Sequence, residues 1–485
     1  MRFFAFVFAL ITICNAISCT TPDVENDETM PTGDFNGVMI GADGRLIPSA
    51  YDKVKTFENG KKPIREVFVS PNGNDANGNG TMQAPYKTIA KGMESIQPGT
   101  AIRIMPGEYN ERIARNNLYA TEANPIWIGG VPGMERPKMV VNSEFMTISG
   151  GSYVIIHDME VTHTPPYQAN LHGFNIYSSG DNLDNFYNPE TTHHFVLRGL
   201  YIHHIGDSPV KTAGVNFYWI FDCEVSYAQQ GLRGSGSIDN VGSHNVTVAY
   251  NYLHNSIGEG IIFKGGSSNV DIHNNLNVNY GSRGVMMGQS TGKEYFRPPL
   301  HLVPEDERYE AKNIRTYSNI FIGGATAFAF ASSKNCYAVN NTVINPTAHL
   351  FRILNNESGT DPAFPRLTDN GAACCGTIAN NIFYYGNLTG QAVNVGAGTK
   401  PETFVARNNL FYNTENPNNK PSFGSVTEEN SIFSIDPLFE DAESHNFSLK
   451  AESPAIDAGI DFLFVKEDFK GNPFKNPRSI GAIQY

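Results

Sequence analysis

VDIHNNLNVN, residues 270–279, consists of two short alternating apolar runs broken by an asparagine pair, and the same pattern returns along the chain. Its relatives are FVLRGLYI (from 195), NFYWIFDCEV (216), VTVAYNYLHN (246), IRTYSNIFIG (314), CYAVNNTVIN (336), GTIANNIFYY (376) and FVARNNLFYN (404). The second turn residue falls at Gly199, Asp222, Asn251, Asn275, Asn319, Asn341, Asn381 and Asn409, so uninterrupted steps run from 22 to 29 residues. Period-two alternation marks strands with one buried face, and a polar turn repeated at this interval marks the coils of a parallel β-helix. Stacked coils lie about 4.8 Å apart, so Asn274, Asn340, Asn380 and Asn408 are expected to ladder their amides through the turn.

A further strand follows each asparagine turn, in HGFNIY, AGVNFY, QGLRGS, EGIIFK, RGVMMG and AVNV. Residues one and three past the glycine are apolar, so Phe174, Ile176, Val215, Phe217, Leu232, Ile261, Phe263, Val285 and Met287 should point inward. The alternate positions should then face outward, among them Asn175, Tyr177, Asn216, Tyr218, Arg233, Ser235, Ile262 and Lys264. Three insertions, roughly 178–193, 290–312 and 357–374, all follow this strand. Equivalent positions of a solenoid share one side, so the insertions should rise along one edge of the face bearing Arg233 and Lys264 and form a groove for an extended polymer.

Composition agrees with a turn-dense extracellular β protein: 46 glycines, 11% aromatic and only 17% charged residues. A net charge of −13 over 485 residues argues against a nucleic-acid or anionic-membrane binder, which would need a basic face. MRFFAFVFALITICNAISC (1–19) has the layout of a secretory signal and is too short to span a membrane. Its AISC ending resembles a bacterial lipobox, which implies lipidation of Cys19 and an outer-membrane lipoprotein, with plain secretion as the alternative. Such an anchor would be the only membrane contact. The acidic stretch that follows reads as a tether. Cys223, Cys336, Cys374 and Cys375 lack metal-ligand spacing and read as buried free thiols, with a bridge from Cys374 or Cys375 to Cys336 as the alternative.

The organisation expected is a signal (1–19), a tether and N-terminal segment (20–60), a cap with the first coils (61–145), the β-helix (146–435) and a closing segment (436–485). Residues 67–109 read as strand, Asn/Gly loop, helix of roughly 86–96, then strand, the cap that a solenoid end needs. This opening, the Asn-Asn coils and SPAIDAG…SIGAIQY together resemble bacterial secreted right-handed parallel β-helix proteins, the superfamily of pectate, chondroitinase-B-like and alginate lyases. The resemblance covers about residues 66–485 and implies an all-β, right-handed parallel β-helix; its motifs are specific for fold and weak for activity.

Lyases of this superfamily remove the proton beside a uronate carboxylate, so the resemblance implies a Lys or Arg base and a cation, often calcium, that neutralises the carboxylate. Lys264 is the candidate base, because a lysine near other cations sheds its proton more readily. Arg233 and Arg283 would supply that charge and clamp the carboxylate, while Gly265 and Gly266 leave room above Lys264 for a sugar ring. The bland alternative pairs Arg283 with Glu259 on the surface. His203 is a further acid or base candidate; a metal at His203, His204 and Asp207 is disfavoured because adjacent strand residues point oppositely. Asn216, Tyr218 and Arg352, with Lys293, Tyr295 and Arg297 of the 290–312 loop, are expected to contact an anionic polysaccharide. The hydrolases of this fold use paired aspartates, which are lacking here; hydrolysis would fall to Glu259 with Asp207 or Asp239. A non-catalytic glycan-binding β-helix is the alternative from another class.

Overall fold

The computed structural model describes residues 50–178, 192–231, 235–355 and 374–485, together with the short backbone strands Asp34–Phe35, Val38–Ile40 and Leu46–Ile47. Cys19, Arg233 and most of the first and third insertions lie outside the described residues. No helix among them is long and apolar enough to cross a membrane.

The chain winds as a right-handed parallel β-helix whose coils each add one strand to three parallel ladders. The first ladder includes Phe174–Tyr177, Val210–Ala213, Gly236–Val241, Glu259–Lys264, Arg283–Met287, Thr326–Ala331 and His349–Leu354. The second includes Thr192–Arg198, Asn216–Phe221, His244–Ala249, Ser267–His273 and Ala311–Tyr317. A third, of twelve strands, runs on the far side of the asparagine turn. Inward residues such as Ile261, Phe263, Val285 and Met287 are fully buried in one continuous core. At its N-terminal end Ile89 and Met93, from the helix Ile89–Met93, pack with Val67, Val69 and Ile102. The helix is shorter than the expected 86–96. Thr88 caps it by accepting from the Lys91 N–H, and Gln97-Pro98-Gly99 leads out of it.

The main asparagine ladder forms one residue later than expected; within the expected file, Asn380 Nδ2–H donates to Asn340 Oδ1 at 3.0 Å. Asn251, Asn275, Asn319, Asn341, Asn381 and Asn409 stack inside the turn, each Nδ2–H donating to the Oδ1 of the next at 2.9–3.0 Å. The first asparagine of each pair instead takes the left-handed conformation, with φ of 54°, 52°, 53° and 48° at Asn274, Asn340, Asn380 and Asn408, which asparagine tolerates better than most residues. That turns its amide outward, where it fastens the C-terminal segment. Asn274 donates to Asp468 O, Asn340 to Ser479 O, Asn380 to Ile460 O and Asn408 to Ala458 O. The closing segment is therefore a strap along the side of the solenoid, with Phe447, Phe469 and Ile480 on Leu276, Ile320 and Leu410 of the third ladder.

Asn341 is fully buried and serves both neighbours, accepting from the Asn319 backbone N–H and Nδ2–H while donating to Asn381. Asn341→Ala strands those groups without water, so it is expected to destabilise the protein by about 2 kcal/mol. A shift of the urea midpoint at constant slope reads this out; an unchanged midpoint would show that the ladder carries no stability.

Two coils depart from the expected alternation. In one, Val210–Ala213 is the first-ladder strand, and Asn216–Phe221 already belongs to the second ladder. Phe217 takes φ +53° there, which breaks the alternation: Phe217 is 40% exposed, whereas Tyr218 is fully buried with its hydroxyl donating to Asn240. In the next coil the first-ladder strand is Gly236–Val241 rather than the run around Arg233. The glycine used as an anchor marks a turn in both coils, not the strand start.

Candidate active site

The corrected register brings Lys211, Asp239 and Lys264 together on the outward face of the first ladder. Lys211 lies directly across from Asp239, and Lys264 stands opposite Val241, two residues further along. Asp239 is 2% exposed, with Oδ2 at 2.5 Å from Lys211 Nζ and Oδ1 at 3.6 Å from Lys264 Nζ. Burial alone would raise its pKa, but the two ammonium groups outweigh that and hold the carboxyl at about 2. Lys264 Nζ also donates to Gln289 Oε1 at 2.7 Å. Among the described residues the charged partner of this lysine is thus a carboxylate; the expected Arg233 lies outside them. Next to the cluster, Asn175, across from Lys211, donates to Glu144 at 2.9 Å. His172, whose pKa is lowered chiefly by burial, accepts from the Ser208 N–H through Nδ1 and is therefore neutral.

Further along, the outward positions Ile262, Met286, Ala329 and Ala331 form a buried apolar cluster. Arg283 and Glu259 flank it as an ion pair at 2.7 Å, so the structural alternative holds for them. Glu259 is 4% exposed, so removing either partner would strand a charge, which makes the pair more than a surface ornament. Arg352 shares this face, three strands from Ile262, and donates to Asn394 at 2.9 Å. Burial, then the neighbouring Arg283, lowers its pKa.

The 290–312 loop sits beside Lys264, but its residues divide. Lys293 and Tyr295 are exposed on a short 3₁₀ turn, Tyr295 at 55%. Arg297 is 3% exposed, its guanidinium donating to the carbonyls of Glu294 and Phe296; its burial pushes the pKa down to about 10. It organises the loop and does not face a groove. The space above the two glycines is taken by this loop rather than left for a sugar. A Cβ on Gly266 would come within 2.7 Å of Arg297 O, and both glycines have positive φ, +64° and +89°.

Glu310, unremarked in the sequence, fastens the loop. It accepts from the Gly265 N–H (2.8 Å), the Thr291 N–H (2.8 Å) and the Thr291 hydroxyl (2.6 Å). It is 3% exposed, and burial raises its pKa to about 7. An isolated Glu before a strand carries no signal for such a role.

His203 is not brought to this face. It sits on the third ladder, stacked on Tyr201 at 4.3 Å and bonded to Glu160 at 3.1 Å. Asn216 also lies elsewhere, at the start of a second-ladder strand, accepting from Asn245 at 2.8 Å. The outward carboxylates do not suit the calcium that the resemblance implies. Asp239 is flanked by ammonium groups and Glu259 by a guanidinium, and no group of three metal-binding side chains assembles among the described residues. Cys223, Cys336, Cys374 and Cys375 are free thiols, the first three buried and Cys375 exposed.

The class that fold and face define is a right-handed parallel β-helix with a lysine–aspartate–lysine cluster on its first ladder. No family model matches the chain. It is 30% identical over 117 residues to the uncharacterized protein YwoF of Bacillus subtilis, a match spanning 23% of each chain. In three dimensions it is similar to pectate lyase Pel9A, with a TM-score of 0.55, 15% identity, and coverage of 88% of this chain and 97% of that one. It is also similar to XylC in complex with xylose, at a TM-score of 0.53 and 11% identity, covering 86% and 98%. At these identities the likeness shows the fold.

Proposed function

We propose that this protein is a carbohydrate-active enzyme, a polysaccharide lyase that cleaves a uronate-containing chain on the outward face of the first ladder. The observation that carries the reading is the pair of lysines converging on Asp239. Lys211, in the tighter contact at 2.5 Å, offers its Nζ to the substrate carboxylate. Lys264, whose contacts among the described residues are the neutral Gln289 amide and Asp239 at 3.6 Å, takes as the free amine the proton from the carbon beside that carboxylate. The electron pair left behind becomes a carbon–carbon double bond as the bond to the bridging oxygen breaks, and that oxygen leaves with a proton from water.

Hydrolysis is less well supported by the same face. It needs a carboxyl that is protonated at working pH and reaches the substrate. Asp239, at about 2, is ionised; Glu259 is tied to Arg283; and Glu310, at about 7, is buried with both oxygens engaged by Gly265 and Thr291. The two fold neighbours, a pectate lyase and a protein crystallised with xylose, accord with a saccharide substrate.

A panel of anionic and neutral polysaccharides tests the reading. The expected result is release of unsaturated uronate, seen by its absorbance, from at least one anionic polymer. New reducing ends without that absorbance would replace the lyase by a hydrolase, and cleavage of nothing would leave a binding protein.

A further inference from the structure

We infer a second saccharide-binding surface, separate from the lysine cluster, on the outward face of the second ladder. Three hollows of about 220, 410 and 280 Å³ adjoin there, neighbouring ones sharing Asn269 and Phe464. Together they make a trough across the sheet. The 296–309 stretch of the long loop walls one end; the N-terminal segment around Lys53 and the C-terminal strap around Phe464 and Lys466 wall the other.

The floor is built from three kinds of group that suit a sugar chain. Asn245, Asn269 and Asn313, all left-handed, present a file of outward amides linked at 3.4 and 3.2 Å, with donors and acceptors for hydroxyls. Aromatic surface follows: Tyr317 stacks on His273 at 4.9 Å, and Phe464 packs edge-on against Tyr317 and Tyr337. Cations complete it. Arg315 lies 5.2 Å from the Phe464 ring centre while paired with Asp271, and Lys53, Lys55 and Lys466 line the far hollow. Lys53 and Lys55 donate only to the backbone carbonyls of Lys470 and Asp52, and among the described residues none of the three is in an ion pair. In a chain of net charge −13 such a gathering selects a ligand that carries carboxylates or sulfates. An anionic polysaccharide meets all three features, with hydroxyls for the amide file, rings of C–H for the aromatic surface and carboxylates or sulfates for the cations.

The surface owes nothing to Lys264, so the two can fail separately. Full-length protein is run through native gels containing polygalacturonate, alginate or chondroitin sulfate, with a neutral glucan and polyglutamate as controls. Salt-sensitive retardation by at least one anionic polysaccharide is expected. It should weaken at least tenfold in the Lys53→Gln, Lys55→Gln, Lys466→Gln triple variant, whose substituted side chains are exposed and whose fold is checked by circular dichroism, and persist in Lys264→Ala. Absence of retardation, equal retardation of the triple variant, or equal retardation by polyglutamate would each overturn the inference.

Discussion

Lys264→Ala is expected to lower the release of unsaturated product by about 10²- to 10⁴-fold, the range a positioned general base supplies. The loss should fall mainly on kcat, because Lys211 remains to meet the carboxylate. Lys211 Nζ contacts Asp239 Oδ2 at 2.5 Å, on the oxygen other than the one that faces Lys264. Lys211→Ala should behave differently, raising KM as well as lowering kcat. It removes a ground-state contact and leaves a buried Asp239 with one ammonium at 3.6 Å. Steady-state kinetics of the two variants, with circular dichroism to show that both are folded, separates the roles. If Lys264→Ala kept activity within threefold of wild type while Lys211→Ala abolished it, the base would be Lys211.

The coil architecture was legible because period-two alternation and the asparagine turn are local signals that repeat, and repetition averages out local exceptions. For Glu259–Lys264 the glycine anchor and the strand start coincide, so Lys264 was placed outward correctly. Two coils earlier the same rule failed. Positive φ at Phe217 inserts a break that composition does not announce, so the rule puts Tyr218 outward and does not join Lys211 and Asp239 to Lys264. Their convergence depends on register between strands offset by 28 and 23 residues, set by turn lengths rather than by any motif. The asparagine pair was read as one device, yet it is two. Its residues differ only in backbone conformation, one inside the ladder and the other turned out to hold the strap. Glycines 265 and 266 suggest room for a ligand in the sequence because nothing local announces that a loop inserted 25 residues later folds back over them.

That loop is held by a carboxyl that titrates near neutrality, which gives the second large effect. Glu310 has a folded-state pKa of about 7 against its ordinary 4.5, because burial disfavours its charge. A carboxyl raised in this way binds a proton more tightly folded than unfolded. Its stabilising share is complete below about 4.5 and is lost as pH rises through about 7, on the order of 3 kcal/mol. When protonated, it can donate to the Thr291 hydroxyl while its oxygens still accept from the Gly265 and Thr291 N–H groups, so all three links survive. Glu310→Gln cannot titrate and should flatten the fall in urea midpoint between pH 4.5 and 7.5. Its baseline should sit slightly lower, because an amide offers one acceptor where the carboxyl offers two. Glu310→Ala should be less stable at every pH in that range, since it leaves two buried N–H groups without acceptors. Lys264 precedes Gly265 directly, so loosening this clasp should also cost activity in Glu310→Ala while Glu310→Gln keeps most of it. A Glu310→Gln protein with the same pH slope as wild type would remove Glu310 as the titrating group.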